Sequence, residues 1–408
     1  MPQNTHPKLA YLTGGYPKAS HTFIQREIAA LRVLGAEVVT TSIRRPDATD
    51  LIGSEEVQAK QETFYVLKTA QNPVHLLRAH LALLIKSPLR WLRAVGKAWQ
   101  FRQPGIRGTL WHLFYFLEAG VLAHHLKKQG VQHLHNHFGD SSATVALLTS
   151  ILADVPYSFT LHGPTEFFAP EHWKIGQKVK DSAFTVCITH FARSQTMIFS
   201  DPGDWDKLKI IHCGVDPDRY GGDAPQNQGS GLGLLFVGRL TPLKGLRILF
   251  EAFESLRATY PDLRLAVIGD GPDKAWADAE AARIGGISMM GYQSQSDVAK
   301  ALSQADALVL PSFAEGLPVV FMEALAAATP VIASRVAGVG ELVVDGETGL
   351  LVHAGDITSL TQALETMITQ PEMRKRMGRV GQAIVAQEFN SQHEAARLLT
   401  LFDTQGGR

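Results

Sequence analysis

Asp306-Ala-Leu-Val-Leu-Pro-Ser312-Phe-Ala-Glu315-Gly-Leu-Pro318-Val-Val-Phe-Met-Glu323 is the stretch from which the architecture can be read. Its first half is a short apolar run that stops at Pro311, the pattern of a buried strand. Its second half is a Gly-Leu-Pro turn followed by an apolar run, with Pro318 near the first turn of a helix, where proline fits. A strand that hands its chain through a loop to a helix is half of a βαβ unit, so the stretch predicts a parallel sheet with crossover helices. A helix start points unpaired N–H groups and partial positive charge outward, which suits a phosphate. Glu315 and Glu323 cannot be ligands of that anion. They suit the hydroxyls of a sugar attached to it.

Outward from this stretch the same alternation recurs. Strands are expected at Leu9–Leu12, Val38–Ile43, Val131–His135, Tyr157–Leu161, Phe184–Ile188 and Leu208–Ile211. A Gly-, Pro- and Asp-rich stretch from Val215 to Gly233 reads as a connection between domains. The scheme then restarts, with strands at Leu234–Val237, Leu263–Ile268, Ile287–Met290, Ala307–Leu310, Val331–Ala333 and Gly349–Val352, and a helical tail over Ile357–Phe402. At 408 residues the chain is too long for one ordinary core. The expected domains span 1–215 and 216–390, with a helix over 391–408 packing back on the first. Two Rossmann-like, doubly wound α/β domains would face each other across a cleft, with Gly14-Gly15 and the Glu315–Glu323 segment on opposite sides.

Composition narrows the function. Hydrophobic residues make up 45% and charged residues 19%, the balance of a globular α/β protein, and zero formal net charge gives no reason to expect nucleic acid. The two cysteines, Cys187 and Cys213, form no disulfide framework or metal spacing, which suits a reducing cytoplasm. The first residues lack the pattern of a signal peptide, and no run has the length of a membrane span.

In the second half, Gly238-Arg239 and Lys244-Gly245 sit where a strand gives way to a helix. Arg offers a planar fork for phosphate oxygens and Lys a mobile point charge. An ordinary solvated loop carries such cations as well. Ile268-Gly-Asp-Gly-Pro272 is a glycine-rich strand end, and Tyr292 after Met290-Gly291 suits either a nucleobase or simple packing.

Taken together, these pieces resemble the retaining glycosyltransferases of the GT-B fold, group 1 (family four). The resemblance is carried by Val237-Gly-Arg-Leu240, Lys244-Gly245, Ile268–Pro272, Pro311–Ala324, Ala337–Val343 and Asp345–Val352, in the family's order. It implies that Arg239 and Lys244 bind the diphosphate and stabilise the leaving group. Glu323 would hold the ribose and Glu315 the transferred sugar. Phosphate oxygens would be held near Gly238 and by the N–H groups of Gly316, Leu317, Val319 and Val320. In the first half, Gly14-Gly15 resembles the turn that passes close to the donor phosphate. Ser20–Glu27, His135–Gly139 and Thr160–Gly163 resemble the branch that makes bacterial exopolysaccharides such as colanic acid. His162 matches the histidine that contacts the donor sugar near the reacting carbon. His137 is open between a structural and an acceptor-binding role, and Glu166 stands displaced from the family's usual acidic position. A helix starting near Ser20 is expected to carry a Ser or Thr cap.

The resemblance thus implies an enzyme, a hexosyltransferase, that moves a sugar from a nucleoside diphosphate sugar to a lipid-linked glycan, without cofactor or metal. Asp204-x-Asp206 and Asp216-x-Asp218 read as turn residues rather than metal ligands. An epimerase or hydrolase of the same architecture, or a non-catalytic nucleotide-sugar-binding subunit, are the rival readings. Finally, Thr63 to Leu117 contains no Asp or Glu but eight Lys or Arg, interleaved with Leu, Ile and Trp. That pattern fits either a helical hairpin packed on the first sheet or contact with an anionic membrane surface, the latter placing the protein on the inner face of the cytoplasmic membrane.

Overall fold

The computed structural model describes residues 6–18, 21–47, 51, 53–220 and 232–406. The expected cap Ser20 and most of the inter-domain connection lie outside the described residues. The chain forms two units, one of Met1–His212 with Glu394–Arg408, the other of Cys213–His393.

In the first unit the strands are β1 (Leu9–Gly15), β2 (Val38–Arg44), β3 (Phe64–Tyr65), β4 (His133–His137), β5 (Tyr157–Leu161), β6 (Thr185–Cys187) and β7 (Leu208–Ile210). Its helices are α1 (Thr22–Val33), α2 (Ser54–Glu62), α3 (Val66–Ala70), α4 (Pro73–Lys86), α5 (Pro88–Phe101), α6 (Gly105–Gln129), α7 (Ser141–Ala153), α8 (Pro170–Trp173), α9 (Ile175–Asp181) and α10 (His190–Phe199). The second unit holds β8 (Gly233–Val237), β9 (Arg264–Ile268), β10 (Ile287–Gly291), β11 (Ala307–Leu310), β12 (Val331–Ser334) and β13 (Gly349–Val352). Its helices are α11 (Leu246–Arg257), α12 (Lys274–Ile284), α13 (Gln295–Gln304), α14 (Val319–Ala326), α15 (Ile357–Thr369) and α16 (Pro371–Glu388). Helix α17 (Ser391–Gly406) ends the chain and returns to the first unit from Glu394 onward.

Both sheets are parallel throughout. Their strand orders are β3-β2-β1-β4-β5-β6-β7 and β10-β9-β8-β11-β12-β13. Each order reverses once, between β1 and β4 and between β8 and β11. At such a switch point adjacent crossovers leave toward opposite faces, opening a crevice at the carboxyl ends of the strands. Gly14, Gly15 and His137 stand at the first switch point. The β8 and β11 loops, which carry Lys244 and Glu315, stand at the second.

Parallel strands covered on both faces are largely buried, and β4 and β5 here are buried at every residue, polar ones included. One face of the first sheet packs on α3 to α7 through residues such as Leu83, Ala94, Leu122 and Leu148. The other packs on α1 and α17 through Ile24, Ile28, Leu398 and Phe402.

Several boundaries differ from the sequence reading. Strand β4 begins at His133 and ends at His137, two residues later than expected. Helix α1 starts at Thr22 with His21 at its cap position and no side-chain cap bond, so Thr22 is a helical residue. Pro318 is the cap residue of α14, one place before the first turn, and its extended backbone (ψ 126°) fits that place. The helical tail is three helices, broken before Pro371 and again near Asn390.

Candidate active site

In the second unit the loops after β8, β9 and β11 are tied to one another. Gly238 N–H donates to Ile268 O at 3.0 Å, Leu240 N–H to Asp270 O at 2.9 Å, and Phe313 N–H to Leu243 O at 2.8 Å. Gly245 has φ +68°, and a Cβ there would lie 2.0 Å from Pro311 O, so only glycine lets the β8 loop press on the β11 loop. This contact brings Lys244 to Glu315. Lys244 Nζ donates to Glu315 Oε1 at 2.5 Å, and Ser312 Oγ donates to the same oxygen at 2.6 Å. Glu315 is buried and Lys244 half-buried. A carboxylate fixed by two donors holds the ammonium at the start of α14.

At that start, the Val319 and Val320 N–H groups have no intrahelical acceptor, as at any helix N-terminus. Gly338 N–H fastens Gly316 O at 3.2 Å, which anchors the turn from outside. Glu323 lies in the second turn of α14, buried on an otherwise apolar helix. Arg239 is exposed on the β8 loop, and Tyr292 is exposed just past the edge strand β10. The structure therefore joins Lys244, Glu315 and the Gly316–Val320 turn, and leaves Arg239 and Tyr292 on solvated loops.

In the first unit the polar face of β4 and β5 forms a file of buried groups. His133, His135 and His137 alternate along β4, so all three point to one face. Ser158 and Thr160 stand opposite on β5. Ser158 Oγ lies 2.7 Å from both His133 Nε2 and His135 Nδ1, and Thr160 Oγ1 lies 2.9 Å from His135 Nε2. At the carboxyl end His137 Nδ1 lies 3.0 Å from His162 Nε2, and its Nε2 faces Glu27 Oε1 of α1 at 3.3 Å. Tyr11 donates its hydroxyl to that same carboxylate oxygen at 2.6 Å. The Glu27 field favours the His137 proton on Nε2, which leaves Nδ1 to accept from His162 Nε2–H. Burial holds the His135 and His162 rings well below the usual imidazole range, so both are neutral.

Two residues brace this strand end. Glu166 folds back so that Oε2 accepts from the N–H groups of His162 (2.6 Å) and Gly163 (2.7 Å), while Oε1 accepts from Gly139 N–H. One carboxyl thus clamps the loops after β4 and β5. Burial pushes it up to about 7, against the pull of its three N–H donors. Lys178 of α9 donates to Gly139 O at 2.8 Å and Asp140 O at 2.7 Å, and burial lowers its ammonium to about 7. Phe138, between them, sits at φ +76°, strained backbone for an aromatic residue, with its carbonyl held by Asn136 Nδ2 at 2.6 Å. Gly14 and Gly15 end β1; a Cβ at Gly14 would meet nothing within 4 Å, whereas one at Gly15 would lie 2.8 Å from Lys18 Cε.

Sequence reasoning missed Ser312, Lys178 and the bracing role of Glu166. The signal for Ser312 was its spacing of three from Glu315. Lys178 gave none, because its partners are carbonyls 38 and 39 residues away. As for a metal, Glu27, His135 and His137 have ligand atoms within 4.8 Å of one another. Both His135 nitrogens already face hydroxyls, and Tyr11 occupies Glu27, so the grouping is used as a hydrogen-bond network. The Asp-x-Asp pairs do turn work: Asp216 accepts from Asp218 N–H and Asp204 pairs with Lys207.

Residues 226–383 match the family model described as "Glycosyl transferases group 1". An alpha-maltose-1-phosphate synthase of Mycobacterium tuberculosis is 30% identical over 315 residues, covering 69% of this chain and 81% of that protein. The chain belongs to the group 1 glycosyl transferases. A glycogen synthase of Mycobacterium tuberculosis is similar over more of the length, 26% identical over 388 residues, 89% of this chain and 85% of that protein. Among solved structures, Anabaena HepE in complex with UDP-glucose aligns with a TM-score of 0.70 at 16% identity, over 97% of this chain and 100% of that one. The two parallel sheets are accordingly the two Rossmann-like halves of a GT-B glycosyltransferase, and the chain is an enzyme of sugar transfer. The family match spans most of the second unit, where Lys244, Glu315 and Glu323 lie. The histidine file and the Glu166 clamp of this glycosyltransferase lie outside the match.

Proposed function

We propose that this glycosyltransferase transfers a hexose-type sugar from a nucleoside diphosphate sugar, with retention of configuration, to a lipid-linked glycan acceptor in cell-surface or exopolysaccharide synthesis at the inner membrane face. The observation that carries the reading is the Lys244–Glu315–Ser312 cluster beside the open start of α14. The α14 N–H groups and Lys244 supply positive potential for a diphosphate, and Arg239 adds a guanidinium fork that no described residue occupies. Glu323 and Glu315 accept hydrogen bonds from ribose and sugar hydroxyls. The binding of UDP-glucose by HepE supports such a donor.

In the transfer, the bond from the anomeric carbon to the diphosphate oxygen breaks as the acceptor oxygen bonds the same face. The acceptor proton passes to the departing phosphate oxygen. Charge building on that oxygen is met by Lys244, Arg239 and the helix start, so no metal is required for it. His162, held by its neighbours, offers a hydrogen bond to the sugar.

The test is a thermal-shift screen of UDP-, GDP- and ADP-sugars, followed by transfer assays with and without glycan acceptor. A ligand at 100 times its dissociation constant adds about 2.7 kcal/mol to the stability of the unit that binds it. Glu315→Gln is expected to keep the shift from free nucleoside diphosphate and to lower kcat by about 100-fold, as when one preorganised polar contact to the reacting group is lost. Turnover of donor alone at full rate, or full transfer by Glu315→Gln, overturns the reading.

A further inference from the structure

Helix α5 carries three different sectors around its axis, in steps of roughly 100° per residue. Ala94, Ala98 and Phe101 form the buried sector. Leu89, Leu92 and Trp99, which are 69%, 57% and 60% exposed, form an apolar sector facing solvent. Between the two lie Arg90, Arg93 and Lys97. A helix whose exposed side is apolar beside a row of cations has the pattern of an interfacial helix, not of an ordinary solvated one.

The cationic row lines two adjoining cavities. One, of about 670 Å³, lies between α5 and the end of α7 and is bordered by Arg90, Arg93, Lys97 and Ser150. The other, of about 320 Å³, shares Arg90 and Arg93 and adds Lys86, Ser87 and Lys127. Of the five cations, Arg90 is paired with Asp154 at 2.5 Å and Lys97 with Asp181 at 2.7 Å. Among the described residues no carboxylate lies in ion-pair range of Lys86, Arg93 or Lys127, so the crevice keeps a surplus of three positive charges. Burial, with Lys86 and Arg90 close by, pulls the Lys127 ammonium below its usual value, and Asp154 acts in the opposite direction. Exposed apolar residues continue on both sides, with Leu77, Leu81 and Ile85 on α4 and Ile106, Leu110 and Trp111 on α6. The whole stretch from Thr63 to Leu117 holds no acid that would repel an anionic surface.

We infer that this crevice takes the phosphate of an anionic membrane phospholipid, with Leu89, Leu92 and Trp99 entering the acyl boundary beside it. The inference deepens the membrane part of the proposed function by naming the residues and the headgroup chemistry. It uses none of the donor-binding residues. A phosphate in solution offers the same charge but no acyl chain, so the apolar sector separates the two ligands.

The test is flotation of the full chain with phosphatidylcholine vesicles and with vesicles that also contain phosphatidylglycerol, at low and at physiological salt. Binding is expected only to the second, and to weaken with salt. Lys86→Gln and Arg93→Gln are each expected to lower partitioning about fivefold, the worth of one cation near an anionic surface. Leu92→Ser is expected to weaken it as well, with melting temperatures unchanged because all three side chains are exposed. Equal binding to both vesicles overturns the inference. So does unaltered binding by the variants, or Leu92→Ser binding as well as the parent while inorganic phosphate competes fully. The donor thermal shift of Arg93→Gln, measured in parallel, is expected to match the parent's. Loss of flotation with an intact shift tests the crevice alone, and absence of the shift in the parent tests the transfer reading instead.

Discussion

Acidification is expected to unfold the first unit through its histidine file. His133, His135 and His162 are buried and His21 is partly so, and burial places all four below the usual imidazole range, His133 and His21 at about 3. Lowered folded values mean stability that is present above pH 6.5 and lost as pH falls toward the folded values. Two carboxyls oppose this. Burial raises Glu166 and Glu118 to about 7, so their contribution is full below pH 4.5 and is lost as pH rises through 7. Lys178, at about 7, is protonated in both states across the window. Near pH 5.5 the four imidazoles take up nearly four protons on unfolding and the two carboxyls release nearly two. From these six groups the net of about two gives a slope of about 2.5 kcal/mol per pH unit, which steepens toward about pH 4.5 as the carboxyl contribution fades. His80, His112 and His125 are shifted in the same direction and add to it.

The assay is urea unfolding followed by tryptophan emission at several pH values. Trp91, Trp99, Trp111, Trp173 and Trp205 lie in the first unit and Trp276 in the second, so the main signal reports the unit in question. His133→Leu removes one titrating ring, while Ser158 keeps its bond to His135. Its slope is expected to be about 1.2 kcal/mol per pH unit shallower near pH 5.5. A stability that does not change between pH 6.5 and 4.5, or one whose slope is the same in the variant, refutes the reasoning.

Gly245→Ala would place a Cβ against Pro311 O and force φ +68° on alanine; a loss of at least about 3 kcal/mol is expected, read from Trp276 emission in urea. Glu166→Ala leaves the His162, Gly163 and Gly139 N–H groups without their acceptor, and is expected to cost about 3–5 kcal/mol in the first unit. The same variant should lower kcat while leaving the donor thermal shift in place, because the clamp lies in the unit that does not carry Lys244 and Glu315.

Strands that read clearly from sequence were short runs that were either continuously apolar or alternated apolar with small polar residues. Tyr157–Leu161, Ala307–Leu310 and Gly349–Val352 fall where the pattern puts them. Strand β4 did not, because alternating histidines look like the polar end of a strand, whereas here each meets a hydroxyl or ring inside a covered sheet. The two-residue β3 carries too few residues for any period to show. In the site, Glu315 and the α14 turn could be picked out because strand end, glycine and carboxylate lie close in sequence; the Lys244–Glu315 contact, across 71 residues, could not. Nor could the Glu166 clamp. It depends on a loop folding back across two strands, and spacing alone only marked the residue as out of place. The acid-free stretch was read as two alternatives; one side of α4 to α6 joins the core, as the helical hairpin requires, and the other side is exposed.

Helix α17 supplies Ala395, Leu398 and Phe402 to the face of the first sheet that also carries the histidines, with Phe402 4.9 Å from the His133 ring. A ribosome delivers that helix only after the whole second unit has been made. The first unit therefore cannot close its core in the order in which it is synthesised. Until residue 402 emerges, the part of that face not covered by α1 stays open, the kind of surface that chaperones hold and that aggregates when they do not. Emergence of α17, rather than completion of the first 212 residues, lets the first unit close its core.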